Sequence, residues 1–111
     1  RFCKEYQFDL EMVNDLNKDN FEKESVYIFL SNSDKQMVDA IKLRRELNYL
    51  TGKDIGIISY NDTYVNEVLE GGVSVINTDF AAMGETAARL ILAGDKSAVV
   101  NSSKLILRKS I

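Results

Sequence analysis

The sequence predicts an α/β fold, a mainly parallel sheet with helices on both faces. Three observations point there. Apolar runs of strand length recur at residues 26–30, 55–59 and 73–76, helical apolar spacing fills the stretches that follow them, and clusters of Gly, Asn, Asp and Ser mark each junction. Strands alternating with helices at this spacing favour parallel pairing through right-handed crossovers. A chain of 111 residues suffices for one domain, 1–111, and not for two.

The elements follow in order. Phe2-Cys3-Lys4-Glu5-Tyr6 reads as the last turns of a helix, and with Arg1 at the start we expect a fragment of a longer protein. Phe8-Asp9-Leu10-Glu11-Met12-Val13 alternates apolar and acidic residues, which predicts an edge strand with one exposed face. Residues 14–24 offer only Leu16 and Phe21 for burial and predict at most a short helical turn. Val26-Tyr27-Ile28-Phe29-Leu30 predicts a strand covered on both faces.

Ser33 and Gln36 make a capping box that opens a helix with Met37, Ala40, Ile41 and Leu47 on its apolar side, Arg44 being the polar intrusion. Gly52 marks its end. The next strand is Ile55-Gly56-Ile57-Ile58-Ser59, followed by a short helix at 63–69, a Gly71-Gly72 turn and the strand Val73-Ser74-Val75-Ile76. Thr78 or Asp79 caps a helix to about Ala93 with the apolar stripe Phe80, Met83, Ala87, Leu90 and Ile91, which Gly94 stops. Leu105-Ile106-Leu107 is the last strand.

Composition narrows the chemistry. With 14 Lys+Arg against 17 Asp+Glu the net charge is −3, so this segment has no basic field for a phosphate backbone. The Lys42-Arg44-Arg45 and Lys104-Arg108-Lys109 groups read as solvated faces. The absence of His removes Ser-His-Asp and Cys-His arrangements and the commonest transition-metal ligand, so any metal would need carboxylates, and no motif points to a cofactor. A lone Cys3 forms no internal disulfide and suits a reducing, cytoplasmic setting. No apolar run reaches the roughly 18 residues of a membrane helix.

Ligands of such sheets bind at the carboxyl ends of the strands. That rule gathers Ser31-Asn32-Ser33-Asp34, Tyr60-Asn61-Asp62-Thr63 and Asn77-Thr78-Asp79-Phe80, each preceding a helix. Their carboxylates, amides and hydroxyls, beside free helix N-terminal N–H groups, suit hydroxyl-rich or anionic small molecules, and Tyr60 and Phe80 could stack on a sugar face. The competing reading makes the same residues helix caps and turn formers, with Asp79 the purest cap and Asp34 and Asn61 the better ligand candidates. A third reading has Asp34, Asp62 and Asp79 hold Mg²⁺ for phosphoryl chemistry.

Asp54-Ile55-Gly56-Ile57-Ile58-Ser59-Tyr60-Asn61-Asp62-Thr63 resembles the D-I-x-V-x-G-Y-D-D-T segment of bacterial lac/gal-repressor-type regulators. In the same order, Ser74-Val75-Ile76-Asn77-Thr78-Asp79-Phe80-Ala81-Ala82-Met83-Gly84 resembles their T-T-I-x-Q-x-F-x-x-M-G stretch, and Leu105-Ile106-Leu107-Arg108-Lys109-Ser110 their terminal L-x-x-R-x-S. The wording around 56–63 and 76–84 is similar to the subgroup with a GntR-type winged-helix head. The resemblance implies the carboxyl-terminal lobe of an effector-binding domain with a periplasmic-binding-protein-like fold, a sugar-like effector, a homodimer, and contact with DNA only through a missing amino-terminal head. A transport-type periplasmic sugar-binding protein is the alternative.

Carried over by position, the family's effector contacts fall on Ser33, Asp34, Asn61, Thr78 and Phe80, with Tyr60 and Asp62 beside them. Asn61, Ser33 and Thr78 stand where the family has Asp, Asn and Gln, which changes the donors and acceptors offered to a ligand. The resemblance also implies a dimer contact on this lobe, for which Val38, Val65 and Leu69 are candidate anchors; the competing reading has all three face the sheet.

Overall fold

The computed structural model of the chain describes residues 2–21 and 27–111. Among them, helix α1 (Phe2–Glu5) is followed by an irregular segment and a 3-10 turn (Lys18–Asn20). Then come strand β1 (Tyr27–Ser31), helix α2 (Asp34–Glu46), strand β2 (Ile55–Tyr60), helix α3 (Tyr64–Val68), a 3-10 turn (Leu69–Gly71), strand β3 (Ser74–Thr78), helix α4 (Phe80–Ala93) and strand β4 (Ser103–Ile106). Val26, expected to open β1, lies outside the described residues, as does part of 14–24.

The described residues form one sheet of four strands in the order β1-β2-β3-β4. β1 and β2 are parallel with Tyr27 opposite Ile55 and Ser31 opposite Ser59, and β2 and β3 are parallel with Tyr60 opposite Ile76. β4 returns antiparallel, pairing Ile106 with Val75 and Ser103 with Thr78. The mixed but mainly parallel α/β architecture is therefore present.

Both parallel connections step in the same direction across the sheet, so connections of one hand lie on the same face. The core forms there. Met37, Ala40 and Ile41 of α2 pack with Ile57 and Val73, and Phe29, Leu16 and Leu69 close around them. Leu69, a candidate for either the dimer surface or the core, is partly buried and packs against the core from the 3-10 turn. The opposite face presents Ile28, Leu30 and Leu105, all more than half exposed, so β1, expected to be covered on both faces, is covered on one among the described residues.

Other expectations fail as well. The 8–13 alternation makes no strand: no strand among the described residues pairs with it, and Phe8, Leu10 and Met12 are exposed. The apolar stripe of α4 is present, yet the helix contains no buried residue, because no layer of the described chain covers it.

Local capping explains the helix starts. Ser33 accepts a hydrogen bond from the Gln36 backbone N–H, while the Gln36 side chain accepts from Asn32 N–H, one residue earlier than a capping box requires. Asp79 caps α4 by accepting from Ala82 N–H at 2.9 Å, and Gly94 ends it in the left-handed conformation at φ 63°. Arg44 and Arg45 are not simply solvated: both donate to the nearly buried Glu70 carboxylate, which also accepts from Thr51, and this pins the end of α2 to the turn before β3.

The carboxyl-terminal segment completes the sheet. Ser110 is fully buried where β2 runs ahead of β3. Ile57 N–H donates to its carbonyl at 2.9 Å, its own N–H donates to the Gly72 carbonyl at 3.1 Å, and its hydroxyl accepts from Ser74 N–H at 2.8 Å while donating to the Ile57 carbonyl. Gly52 is required beside it: a Cβ there would stand 2.6 Å from the Lys109 carbonyl oxygen, at a backbone φ of +79° that also favours glycine.

Candidate functional site

Because β1, β2 and β3 run parallel and in register, the loops that follow them emerge at one edge of the sheet. Every predicted site residue lies on that edge. Ser33 caps α2 and Asp34 begins it, both exposed. Ser31 is fully buried beneath them, its hydroxyl donating to the Ser33 carbonyl at 2.6 Å. Tyr60 ends β2 with its ring about half exposed, Phe80 opens α4 in the same condition, and Thr78 is half-buried at the end of β3 opposite Ser103.

The middle loop is the most constrained. Asn61 takes the left-handed region at φ 62°, a conformation Asn tolerates better than most residues. Its N–H donates to the Ile76 carbonyl at 2.8 Å and its carbonyl accepts from the Asn66 side chain at 3.2 Å. The Asn61 Oδ1 is buried and has no hydrogen-bond partner in the chain. The next N–H, of Asp62, donates to the Asn77 side-chain oxygen at 3.1 Å and so ties this loop to the one after β3.

Asp62 itself is engaged in an ion pair. Both its oxygens accept from Arg108, at 2.9 and 2.6 Å, and the same guanidinium donates to the Val73 carbonyl at 2.8 Å. The hydrogen bond from Arg108 holds the Asp62 carboxyl below the usual carboxylate range, and the same contact raises Arg108. Arg108, read from the sequence as part of a solvated face, is therefore a half-buried ion-pair partner. Residues 46 apart meet here, and only the terminal R-x-S wording hinted at it.

Sequence reasoning also passed over Asn66, which is 1% exposed on α3. A buried Asn in a short helix is a signal in itself, since Asn is a poor helix former and its amide demands partners.

For the acid-cluster reading, the geometry leaves little. Asp62 is committed to Arg108 and Asp79 to the α4 N-terminus, and among the described residues no group of three or more His, Cys, Asp or Glu could hold a metal ion. Among those residues, too, no helix is long and apolar enough to cross a membrane. The three loops form an open wall, and a groove of about 380 Å³ among the described residues lies away from them, lined by Leu16, Lys18, Asp39, Leu43 and Glu46.

No family model matches the chain, and no curated protein matches it. Solved structures do. A candidate transcription regulator from Staphylococcus saprophyticus is 25% identical over 78% of this chain and 33% of its own, with a TM-score of 0.61. The Lac repressor bound to ONPG in its repressed state is 26% identical over 76% of this chain and 27% of its own, at a TM-score of 0.59. A sugar-binding transcriptional regulator of the LacI family from Escherichia coli, complexed with phosphate, is 21% identical over 76% of this chain and 32% of its own, at 0.61. The chain spans about a third of the length of these proteins. It has the fold of part of the effector-binding domain of LacI-type transcription regulators.

Proposed function

We propose that the chain is the carboxyl-terminal lobe of a non-enzymatic sensor in a bacterial transcription regulator, and that its three strand-end loops form one wall of a cleft for a sugar-like effector. Closure of a second lobe over the effector biases the spacing of amino-terminal DNA-binding heads, of the GntR winged-helix type, in a cytoplasmic homodimer. Asn61 carries this reading. Its backbone is tied at both ends while its buried Oδ1 is left without a partner, an unmet acceptor whose cost a hydroxyl or amine donor reaching the loop would offset. Exposed Ser33 and Asp34 offer further polar groups, half-buried Thr78 a hydroxyl, and Tyr60 and Phe80 ring faces at the same edge.

Asp62 supports the wall through Arg108 and does not contact the effector in this reading. Val38 and Val65, both exposed, are the surface residues left as dimer anchors once Leu69 packs against the core.

The test is a thermal-shift screen of the full-length protein with hexoses, pentoses and their phosphate esters, followed by calorimetry. Asn61→Ala is expected to weaken the best binder by about 1–3 kcal/mol. Unchanged affinity removes Asn61 from the site. The 111-residue chain alone should bind the same sugar only in the millimolar range or weaker, since a single wall leaves much of a ligand wet where sites typically bury about 70–90% of it.

A further inference from the structure

We propose that Asn66 is a positioning residue of this site: its buried side-chain amide holds the Asn61 peptide in the left-handed conformation and thereby fixes where the Asn61 Oδ1 is presented. The inference rests on the reading of the Asn61 loop as an effector wall for its functional consequence, although its structural test does not.

The backbone of Asn66 makes bonds that any residue would make there. Its N–H donates to the Thr63 carbonyl at 3.0 Å, and its carbonyl accepts from Val73 N–H at 2.7 Å. What asparagine adds is one bond, from its Nδ2 to the Asn61 carbonyl at 3.2 Å. The choice works against local stability in two ways. Asn is a poor helix former, and the Asn66 Oδ1 is buried without a hydrogen-bond partner. A leucine or alanine at this 1%-exposed position would be the better core residue.

The bond is placed where it controls orientation. Asn61 enters the turn from β2 with its N–H anchored on Ile76 of β3, and only its φ of 62° turns the chain toward α3. The peptide before Asn61 is thus held by the sheet, and the peptide after it is held at its N–H by the Asn77 side chain and at its carbonyl by Asn66, the bond that sets which way that carbonyl turns. The Asn61 side chain departs from between those two anchors, and its unpartnered Oδ1 is aimed by them. Asn66 touches no effector in this account. It acts through Asn61.

The test is Asn66→Leu, which keeps the branching at Cγ and lacks a donor, in the isotopically labelled chain. The ¹³Cα and ¹³Cβ shifts and the HN–Hα coupling of Asn61 report its φ, and those of Ile57 and Val75 report the fold. We expect Asn61 to leave the left-handed region while Ile57 and Val75 keep their shifts. A merely structural Asn66 would change stability without moving Asn61, and unchanged Asn61 signals overturn the proposal. Asn66→Ala, read in the same way, serves if leucine unfolds the chain.

In the full-length protein, the sugar that the screen ranks first should bind about tenfold more weakly to Asn66→Leu, and the Asn61→Ala/Asn66→Leu double variant should bind no worse than Asn61→Ala alone. Additive losses in that cycle would overturn action through Asn61. If Asn61→Ala leaves sugar binding intact, the effector reading fails, while the NMR result still decides whether Asn66 sets the turn.

Discussion

Helices α2 and α4 are nearly equal in length and both follow a parallel strand, yet α2 buries Met37, Ala40, Ile41 and Leu43 while α4 buries nothing. The contrast runs against composition, since α2 is rich in charged residues and α4 is the more apolar. What separates them is the next strand. After α2 the chain adds β2 parallel to β1 and folds the helix onto the pair, whereas after α4 it adds β4 antiparallel to β3 and draws no layer over the helix. An apolar stripe records that a helix needs cover, and topology decides where the cover comes from.

The largest expected effect breaks or upholds that contrast directly. Ile57→Ala, at the fully buried centre of the α2 side, should lower the unfolding free energy by about 2–5 kcal/mol, and Ile91→Ala on exposed α4 should change it by less than about 0.5 kcal/mol. Urea unfolding followed by circular dichroism measures both. A large loss for Ile91→Ala would mean that α4 is packed in solution and that the two helices are alike after all.

A middle-sized effect asks how much of the α2 side depends on polar ties beyond its core. Arg108→Gln, which removes the charge facing Asp62, should cost about 1–3 kcal/mol at neutral pH. Asp62 has a folded-state pKa below its unfolded one, so its contribution is present above the unfolded value of about 3.9 and is lost as pH falls from there through the folded value. Acid titration of stability should show this fall in the wild-type chain and a flatter curve in Arg108→Gln. Equal slopes would assign the acid sensitivity to other carboxylates.

The smallest effect sharpens the reading of α4. Gly84 lies inside this helix, and a Cβ there would meet nothing within 4 Å. Gly84→Ala should therefore stabilise the chain by about 0.5–1 kcal/mol, from helix propensity and reduced freedom of the unfolded state. A destabilised variant in thermal unfolding would reveal a neighbour pressed against that side.

The same contrast marks how far the residues were legible as a sequence. Apolar runs located β1, β2 and β3, and capping chemistry located α2 and α4, because each signal is complete within about a dozen residues. The alternating 8–13 segment failed since a strand is defined by a partner, and alternation cannot supply one. At the candidate site, the loops and their exposed members could be read from the strand-end rule. The Asp62–Arg108 pair, the Glu70 clamp on Arg44 and Arg45, and the burial of Asn66 could not, because each joins or encloses residues that only the folded chain brings together.

Ser110 gives the assembly of this sheet a schedule. Its bonds to Ile57 and Ser74 span 53 and 36 residues, so on the ribosome the β1, α2 and β2 unit is out and able to pack well before the residue that closes the gap between β2 and β3 has emerged. Through that interval the Ile57 and Ser74 backbone groups must rely on water, and the edge they form is open to other strands. Arrival of a single serine ends both exposures at once, which makes the last stage of folding a docking event timed by translation.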